Sequence, residues 1–286
     1  MTTITSRTTS RSVHDPLENS VHEAPRTRLS RFVERGCGGN DLRQRSLDHC
    51  GFSSIPAPIL FAKGEGETER IRVSDVVQGR VGDCYLLAAI SATIIAPHGR
   101  ETIERMIQPA AADRGIPRFQ VTFPNQGTPI SVTVSAVFPD GHVARSGSRD
   151  SATLKEEIWP AVLEKAYAMV HGGFDRIKLG GSMSEALRLF SEHEVVAFEA
   201  DAVPGSELTR AFLEGSAMTV ATEFVSEPNE FQLRPNHAYA VRGFYEDGGE
   251  TYVVLSNPHG PRAVAPFPIP EREWEQLFTN FAATVP

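Results

Sequence analysis

The sequence predicts an α+β fold with two halves, in which helices come mostly first and strands last. Residues 83–95 (DCYLLAAISATII) are apolar on every face, which is typical of a helix buried in a core. Alternating apolar and polar residues predict β-strands at residues 119–123, 130–134, 217–221, 238–245 and 251–255. We therefore expect a helical half and a β half, with a functional site in the cleft between them.

Four further helices are predicted from helical spacing and from start and stop signals, at residues 101–107, 155–170, 182–192 and 206–213. The second carries one apolar stripe and is stopped by Gly172 and Gly173. Ser182 and Glu185 have the spacing of a capping box, so they mark the start of the third helix.

The chain divides into a tail and a two-lobed core. Residues 1–50 are rich in Ser, Thr and Arg and lack the apolar region of a secretory signal peptide, so we expect a disordered tail. An export signal of an injected effector is the second interpretation, so the expected location is cytoplasmic, or outside the producing cell without a Sec-type leader. The core is expected to consist of a helical lobe over residues 51–195 and a β lobe over residues 196–286.

Composition and charge narrow the classes of partner. Hydrophobic residues make up 40% of the 286 residues and charged residues 22%, which is a globular composition. The formal net charge is -8 without a dense run of Lys and Arg, which argues against binding of nucleic acid. No apolar stretch approaches the roughly 20 residues that span a bilayer, so no membrane partner is expected. Three cysteines without a CxxC pair indicate neither a disulfide framework nor a thiolate zinc site.

Cys84 is the candidate nucleophile. It follows Gly82 and Asp83, where a Gly-rich loop meets the start of the buried helix. The unpaired N–H groups and the dipole of a helix N-terminus favour negative charge, so we expect a stabilised thiolate there. Taken alone, the same position also fits an ordinary buried cysteine.

His237 and Asn257 are brought together by a predicted hairpin. Asp247 and Gly248 are expected to form its two-residue loop, which places His237 opposite Pro258, one residue from Asn257. Cross-strand side chains lie roughly 5 Å apart. The Asn257 carbonyl can therefore accept a hydrogen bond from one imidazole nitrogen and fix the tautomer of the other.

The chain order Cys, His, Asn matches that of papain-type proteases. His237 lies 153 residues after Cys84, close to the roughly 130–150 residues expected for such enzymes. An imidazole held against a thiol is an activated nucleophile for acyl transfer. Gln78 lies six residues before Cys84, and its side-chain amide can join the Cys84 backbone N–H in an oxyanion hole.

Five linked blocks resemble the calpain family of cysteine proteases, and they occur in the family's order over roughly residues 55–260. They are the nucleophile motif at 78–90 with its approach at 58–61 and 75–78, and the blocks at 159–168, 180–186, 237–241 and 257–260. The resemblance implies a papain-like two-lobed fold, with Cys84 on the helical lobe and His237 and Asn257 on the β lobe. It also implies an endopeptidase that forms a thioacyl-enzyme, with Gln78 in the oxyanion hole.

Two positions depart from the family pattern. Tyr85 stands where the family usually has the Trp after the nucleophile, and His259 stands where it has the Trp of an Asn-Pro-Trp-Gly block. Asp75 and Glu185 resemble calcium-binding positions of regulated members, but two carboxylates are few for an ion that needs 6–8 oxygens. We therefore predict no metal, no cofactor and no calcium requirement, with calcium binding as the alternative.

Other functions remain open for the same side chains. A thiol acyl transfer such as glutamine deamidation or transglutamination uses the same groups, and a catalytically silent binding module is a third hypothesis. The product separates them, because proteolysis creates a new N-terminus and deamidation releases ammonia. Protein substrates are the expected partners, with a regulatory or delivery partner as a further expectation, because no regulatory domain is visible in the sequence.

Overall fold

The computed structural model describes residues 52–55, 57–63, 69–139, 143–144, 156–222, 225, 229–260, 263 and 266–286. The predicted tail, residues 1–50, lies outside this part of the chain. Within the described residues, helices dominate the first part and a large antiparallel sheet dominates the last. The predicted α+β class is therefore confirmed.

The described residues contain seven α-helices: α1 Cys84–Ile95, α2 Gly99–Met106, α3 Trp159–Val170, α4 Phe174–Ile177, α5 Met183–Phe190, α6 Gly205–Leu213 and α7 Trp274–Leu277. None of these is long and apolar enough to cross a membrane. The predicted helices are present with their ends moved by a few residues. Helix α3 begins late, with Pro160 in its first turn, where a missing N–H is harmless. Helix α5 begins after Ser182, whose Oγ accepts the Glu185 backbone N–H at 3.3 Å as predicted.

The strands in the described part of the chain form three antiparallel sheets. A two-stranded sheet pairs β1 (Phe52–Ser54) with β5 (Val137–Pro139), and a three-stranded sheet consists of β2 (Ile107–Asp113), β3 (Ile116–Phe123) and β4 (Ile130–Ser135). The six-stranded sheet has the order β10-β9-β8-β7-β11-β6. Its strands are β6 (Glu194–Glu199), β7 (Met218–Thr222), β8 (His237–Asp247), β9 (Glu250–Ser256), β10 (Ile269–Pro270) and β11 (Phe278–Val285).

Three of the longer strands are absent from the sequence prediction, each for a physical reason. Strand β2 contains Pro109, which is tolerated because β2 is an edge strand and pairs only with β3. Strand β6 is also an edge strand and is mostly exposed, so its apolar residues do not alternate cleanly. Strand β11 is buried over most of its length, which hides the alternation of a half-exposed strand.

Helix α1 lies in the middle of the larger core, and ten of its twelve residues are buried. It packs on the six-stranded sheet through small side chains, since Ala238, Ala240 and Ala282 belong to the same core cluster. The intervening residues Tyr239 and Val241 belong to a second cluster on the other side of the sheet. The alanine face lets α1 approach the strands closely, which brings its first residue to the start of β8.

Candidate active site

Cys84 is the first residue of α1, and its side chain is partly buried. The Asp83 carbonyl starts the helix by accepting the backbone N–H groups of Leu86 at 2.9 Å and Leu87 at 3.2 Å. The thiol lies in hydrogen-bonding contact with the backbone of Ala238 in β8. Because Ala238 directly follows the candidate histidine, the packing of α1 on the sheet delivers the sulfur to the strand that carries the base.

The His237 ring is held by Asn257 in one tautomer. His237 Nε2 lies 3.1 Å from Asn257 Oδ1, and the same oxygen accepts the backbone N–H of His259 at 3.0 Å. A backbone N–H can only donate, so the oxygen of the Asn257 amide, and not its nitrogen, faces both groups. In neutral His237 the hydrogen therefore lies on Nε2, and Nδ1 keeps its lone pair for a proton from a thiol.

The predicted adjacency of His237 and Asn257 is thus confirmed, but the predicted register of the hairpin is wrong. Gly248 and Gly249 form the two-residue loop, with φ values of 60° and 83°, and Asp247 belongs to the paired strand. A two-residue hairpin turn with positive φ at both central positions favours glycine at both, so the Gly-Gly pair takes the turn.

A bulge at residue 242 changes the pairing of β8 and β9 again, after the change caused by the Gly-Gly turn. Beyond it Ala240 pairs with Ser256, which is the last residue of β9. Asn257 lies just after the strand, so its side chain reaches His237 from a loop and not from a ladder position.

Two rings enclose the His237 imidazole. The Tyr239 ring meets it edge-on with centroids 4.8 Å apart, and the His259 ring stacks on it at 4.8 Å with 28° between the planes. Arg234 fixes both neighbours, because its Nη1 donates to His259 Nδ1 at 3.0 Å and its backbone N–H donates to the Tyr239 hydroxyl at 2.8 Å. With Nδ1 accepting from a guanidinium, His259 is a neutral ring with its hydrogen on Nε2.

Sequence reasoning identified neither Arg234 nor Thr222 nor Tyr239. Thr222 pairs with His237 across β7 and β8, and its Oγ1 accepts the His237 backbone N–H at 3.2 Å. Of these three residues only Tyr239 could have been found from the sequence, because it lies two residues after His237 on the same strand and such residues share a face. The other two depend on a sheet pairing and on a loop conformation that no local pattern specifies.

Burial dominates the electrostatics of the two candidate reacting groups. Burial lowers the pKa of His237 to about 4, against the raising effect of the Asn257 hydrogen bond, while His259 and Arg234 lower it further. Burial likewise raises the pKa of Cys84, against the lowering effect of the Ala238 backbone, and the Asp83 carboxylate adds to the rise. Burial therefore favours the neutral form of each group, the thiol and the imidazole. The thiolate expected at the helix N-terminus is thus opposed by desolvation of the sulfur.

Gln78 lies in the loop before α1 and is tied to the loop that carries Asn257. Its backbone N–H donates to the Pro258 carbonyl at 2.8 Å, and its side-chain Nε2 donates to the Val81 carbonyl at 2.8 Å. Gly260 packs so closely on Val77 that a Cβ there would lie 2.6 Å from a Val77 methyl group. The structure thus joins the predicted oxyanion loop and the asparagine loop, and Gln78 Nε2 carries a second hydrogen besides the one given to Val81.

A pair of buried carboxyl groups lies directly behind the nucleophile. Asp83 and Glu164 are both 0% exposed and within hydrogen-bonding reach of each other. Burial raises the pKa of Asp83 to about 7 against the lowering effect of the Glu164 hydrogen bond, and burial followed by the Asp83 charge raises the pKa of Glu164 well above its usual value. Sequence reasoning placed Asp83 where the Gly-rich loop meets the buried helix and did not pair it with Glu164.

The carboxylates considered for calcium have other contacts. Asp75 is fully buried and accepts from the backbone N–H of Arg72 at 2.6 Å and from its Nη2 at 3.1 Å. Glu185 is exposed in the first turn of α5, where its backbone N–H takes part in the helix cap. Over the described ranges, no group of three or more His, Cys, Asp or Glu side chains is arranged to hold a metal ion. Independence from calcium stays a prediction.

Comparison with known proteins adds a family to this geometry. The family model described as calpain family cysteine protease matches residues 60–280. The calpain-1 catalytic subunit of Homo sapiens is 31% identical over 250 residues, which cover 80% of this chain and 33% of that protein. The corresponding subunit of Gallus gallus is 30% identical over 209 residues, which cover 65% of this chain and 28% of that protein.

A plant relative matches a shorter part of the chain. The calpain-type cysteine protease DEK1 of Zea mays is 36% identical over 120 residues, which cover 41% of this chain and 5% of that protein. The chain thus spans a third or less of the length of these curated relatives. Since the family model covers most of the sequence, and its span contains Cys84, His237 and Asn257, the chain belongs to the calpain family of cysteine proteases.

Proposed function

We propose that this chain is a cysteine endopeptidase that hydrolyses peptide bonds in protein substrates, with Cys84 as nucleophile, His237 as base and Asn257 as the residue that orients the base. The observation that carries the proposal is the tautomer of His237. Asn257 Oδ1 takes the Nε2 hydrogen, so Nδ1 is the nitrogen that can accept the thiol proton. The sulfur lies at the backbone of Ala238, the next residue of the same strand.

In the proposed reaction the proton moves as the bond forms. His237 Nδ1 accepts the thiol proton while the Cys84 sulfur adds to the substrate carbonyl carbon. The carbonyl oxygen becomes an oxyanion, which the Cys84 backbone N–H and the free hydrogen of Gln78 Nε2 can stabilise by hydrogen bonding. Collapse of this intermediate breaks the C–N bond, and the leaving amine takes the proton from His237.

The second half of the reaction regenerates the enzyme. The acyl group remains on Cys84 as a thioester, and a water molecule attacks it while His237 accepts a proton from that water. The thiolate then leaves, recovers its proton from His237, and a new carboxyl terminus is released. Asn257 keeps the ring in one orientation through both steps, so the same nitrogen serves as base and as acid.

The direct test is cleavage of casein by the purified chain in reducing buffer, beside Cys84→Ala and Cys50→Ala. We expect new N-termini by mass spectrometry with the wild-type chain and with Cys50→Ala, and none with Cys84→Ala. Each protein is assayed with added calcium and with chelator. Dependence on an ion cannot be transferred from a relative of which the match covers only 33%. Release of ammonia from an intact casein chain would contradict the proposal and favour a deamidase.

A further inference from the structure

The buried carboxyl pair behind the nucleophile has too few hydrogen-bond donors. Neither Asp83 oxygen, nor Oε1 of Glu164, receives a hydrogen bond of good geometry from a described residue, and all three atoms are buried. Glu164 Oε2 accepts the Ala144 backbone N–H at 2.7 Å, so one of the four oxygens is satisfied. Two ionised carboxylates placed against each other in a buried position would strongly repel each other, and each would need more hydrogen-bond donors than the described residues provide.

Among the described residues, no cation is recorded in contact with the pair. The groups that interact electrostatically with Asp83 are Glu164 on α3, Cys84 and Tyr85 on α1, and Tyr167 on α3. All of these are acids or thiols, and Glu185 acts on the two tyrosines from α5. Lys165, the neighbour of Glu164 in sequence, donates instead to the Ser135 and Val137 carbonyls at 3.0 and 2.8 Å.

We propose that Asp83 and Glu164 share one proton, and that Glu164 is thereby a positioning residue that keeps negative charge away from the Cys84 sulfur. The shared proton supplies the donor that the oxygens lack. Asp83 is the residue immediately before the nucleophile, so charge localised on it opposes ionisation of the thiol, whereas charge drawn toward Glu164 lies farther from the sulfur. The role rests on the proposed function of Cys84 as nucleophile.

Two substitutions of the pair have opposite expected effects on the thiol. In Glu164→Gln the amide donates to Asp83, which then ionises at a lower pH and carries its charge beside Cys84. Alkylation of Cys84 by iodoacetamide at pH 6 should then slow several-fold. In Asp83→Asn the charge next to the sulfur is removed, so alkylation should accelerate several-fold and its pH midpoint should fall. A change of half a pKa unit alters the thiolate fraction about threefold below the midpoint.

Glu157→Gln is the matched control. Glu157 is also a buried carboxylate that accepts a backbone N–H, from Ala62 at 2.8 Å, but it does not precede the nucleophile. Its substitution should leave the alkylation profile of Cys84 unchanged. Changes of the same sign in Asp83→Asn and Glu164→Gln, or no change in either, would overturn the proposal. Thermal melts of all three variants show whether each is folded.

A second measurement uses the wild-type protein and needs no variant to fold. A shared proton gives a protonated carboxyl C=O stretch in the infrared spectrum at pH 6, which shifts on transfer to D₂O. Absence of that band at pH 6 would overturn the proposal. Both measurements are made without a substrate, so they remain informative even if casein is not cleaved and the proposed function fails.

Discussion

At the scale of single residues, the imidazole of His259 occupies a position where the family usually has an indole. It covers the outer face of His237 at a centroid distance of 4.8 Å, and Arg234 holds it through Nδ1. The Arg234 guanidinium brings positive electrostatic potential to the base, and protonation of His259 would add to it, where the family usually has an apolar ring. Both groups oppose protonation of His237 and act in the same direction as burial.

The pH dependence of activity should show this effect. His237 must be neutral to accept the thiol proton, so activity is lost as the pH falls through its pKa, which is lowered from 6.5 to about 4. We expect the acid limb of kcat/KM well below pH 6. Arg234→Gln removes a cation that lowers the pKa of His237, so the limb should move to higher pH while remaining below pH 6.5.

The control for that profile is Arg114→Gln, in the exposed turn between β2 and β3 and outside the sheet that carries His237. The prediction is tested by measuring kcat/KM on one peptide substrate between pH 4 and pH 8 for the wild-type chain and both variants. An acid limb that stays in place in Arg234→Gln, or moves to lower pH, contradicts the assigned electrostatic role.

At the scale of elements, the alanine face of the six-stranded sheet sets the distance between the nucleophile and its base. Ala240 is 0% exposed beneath α1. Ala240→Leu adds volume to a packed contact, so we expect a loss of about 1–3 kcal/mol in the free energy of unfolding. Displacement of α1 should also lower kcat. Urea unfolding followed by circular dichroism measures the first effect, and peptide hydrolysis measures the second.

The same substitution at an exposed alanine of the same sheet separates packing from strand propensity. Ala197 lies in the edge strand β6 and is exposed. Ala197→Leu should change the free energy of unfolding by less than about 0.5 kcal/mol. An equal loss in both variants would show that the tight contact with α1 is not the cause.

Elements were predictable where a local pattern reports a local environment. Helix α1 was predicted because a run of apolar residues on every face has few alternatives to burial, and α5 because Ser182 caps it. Strand β11 was not, since its neighbours are distant in sequence and a largely buried strand has little alternation to detect. The Gly-Gly turn was misassigned because Asp247-Gly248 has equally strong turn chemistry.

The residues of the candidate site were likewise predictable only where a local sequence pattern marks them. Cys84, His237 and Asn257 were identified because each occurs in a recognisable block and because their order restricts the chemistry. The contact between Asp83 and Glu164 joins residues that are 81 positions apart, and it arises only in the folded core, where Tyr85 of α1 also meets Tyr167 of α3. Nothing local to either residue distinguishes such a buried acid from an ordinary helix or loop carboxylate.

At the scale of the whole molecule, one core connects the two predicted halves. The larger cluster contains α1, α3 and α5 residues together with Ala238, Ala240 and Ala282 of the sheet. The second cluster lies across the sheet and shares its strands. A sheet that supplies both cores cannot lose one face without exposing the other, so the described part of the chain should unfold as one cooperative unit.

The two tryptophans test this cooperativity, because Trp159 lies in the larger cluster and Trp274 in the second. In Trp274→Phe the fluorescence reports only the larger cluster, and in Trp159→Phe only the second. Within each variant we expect the urea midpoint by fluorescence to coincide with the midpoint by circular dichroism. Separate midpoints would show that the two clusters unfold independently.

The hydrogen bond from the Gln78 backbone N–H to the Pro258 carbonyl joins the segment before the nucleophile to the segment after the base. Its amide proton can exchange with solvent deuterium only when those segments separate. The exchange rate of this one amide therefore reports how often the two segments separate. An inhibitor that contacts both segments should lower this exchange rate, and an inhibitor that binds a single segment should leave it unchanged.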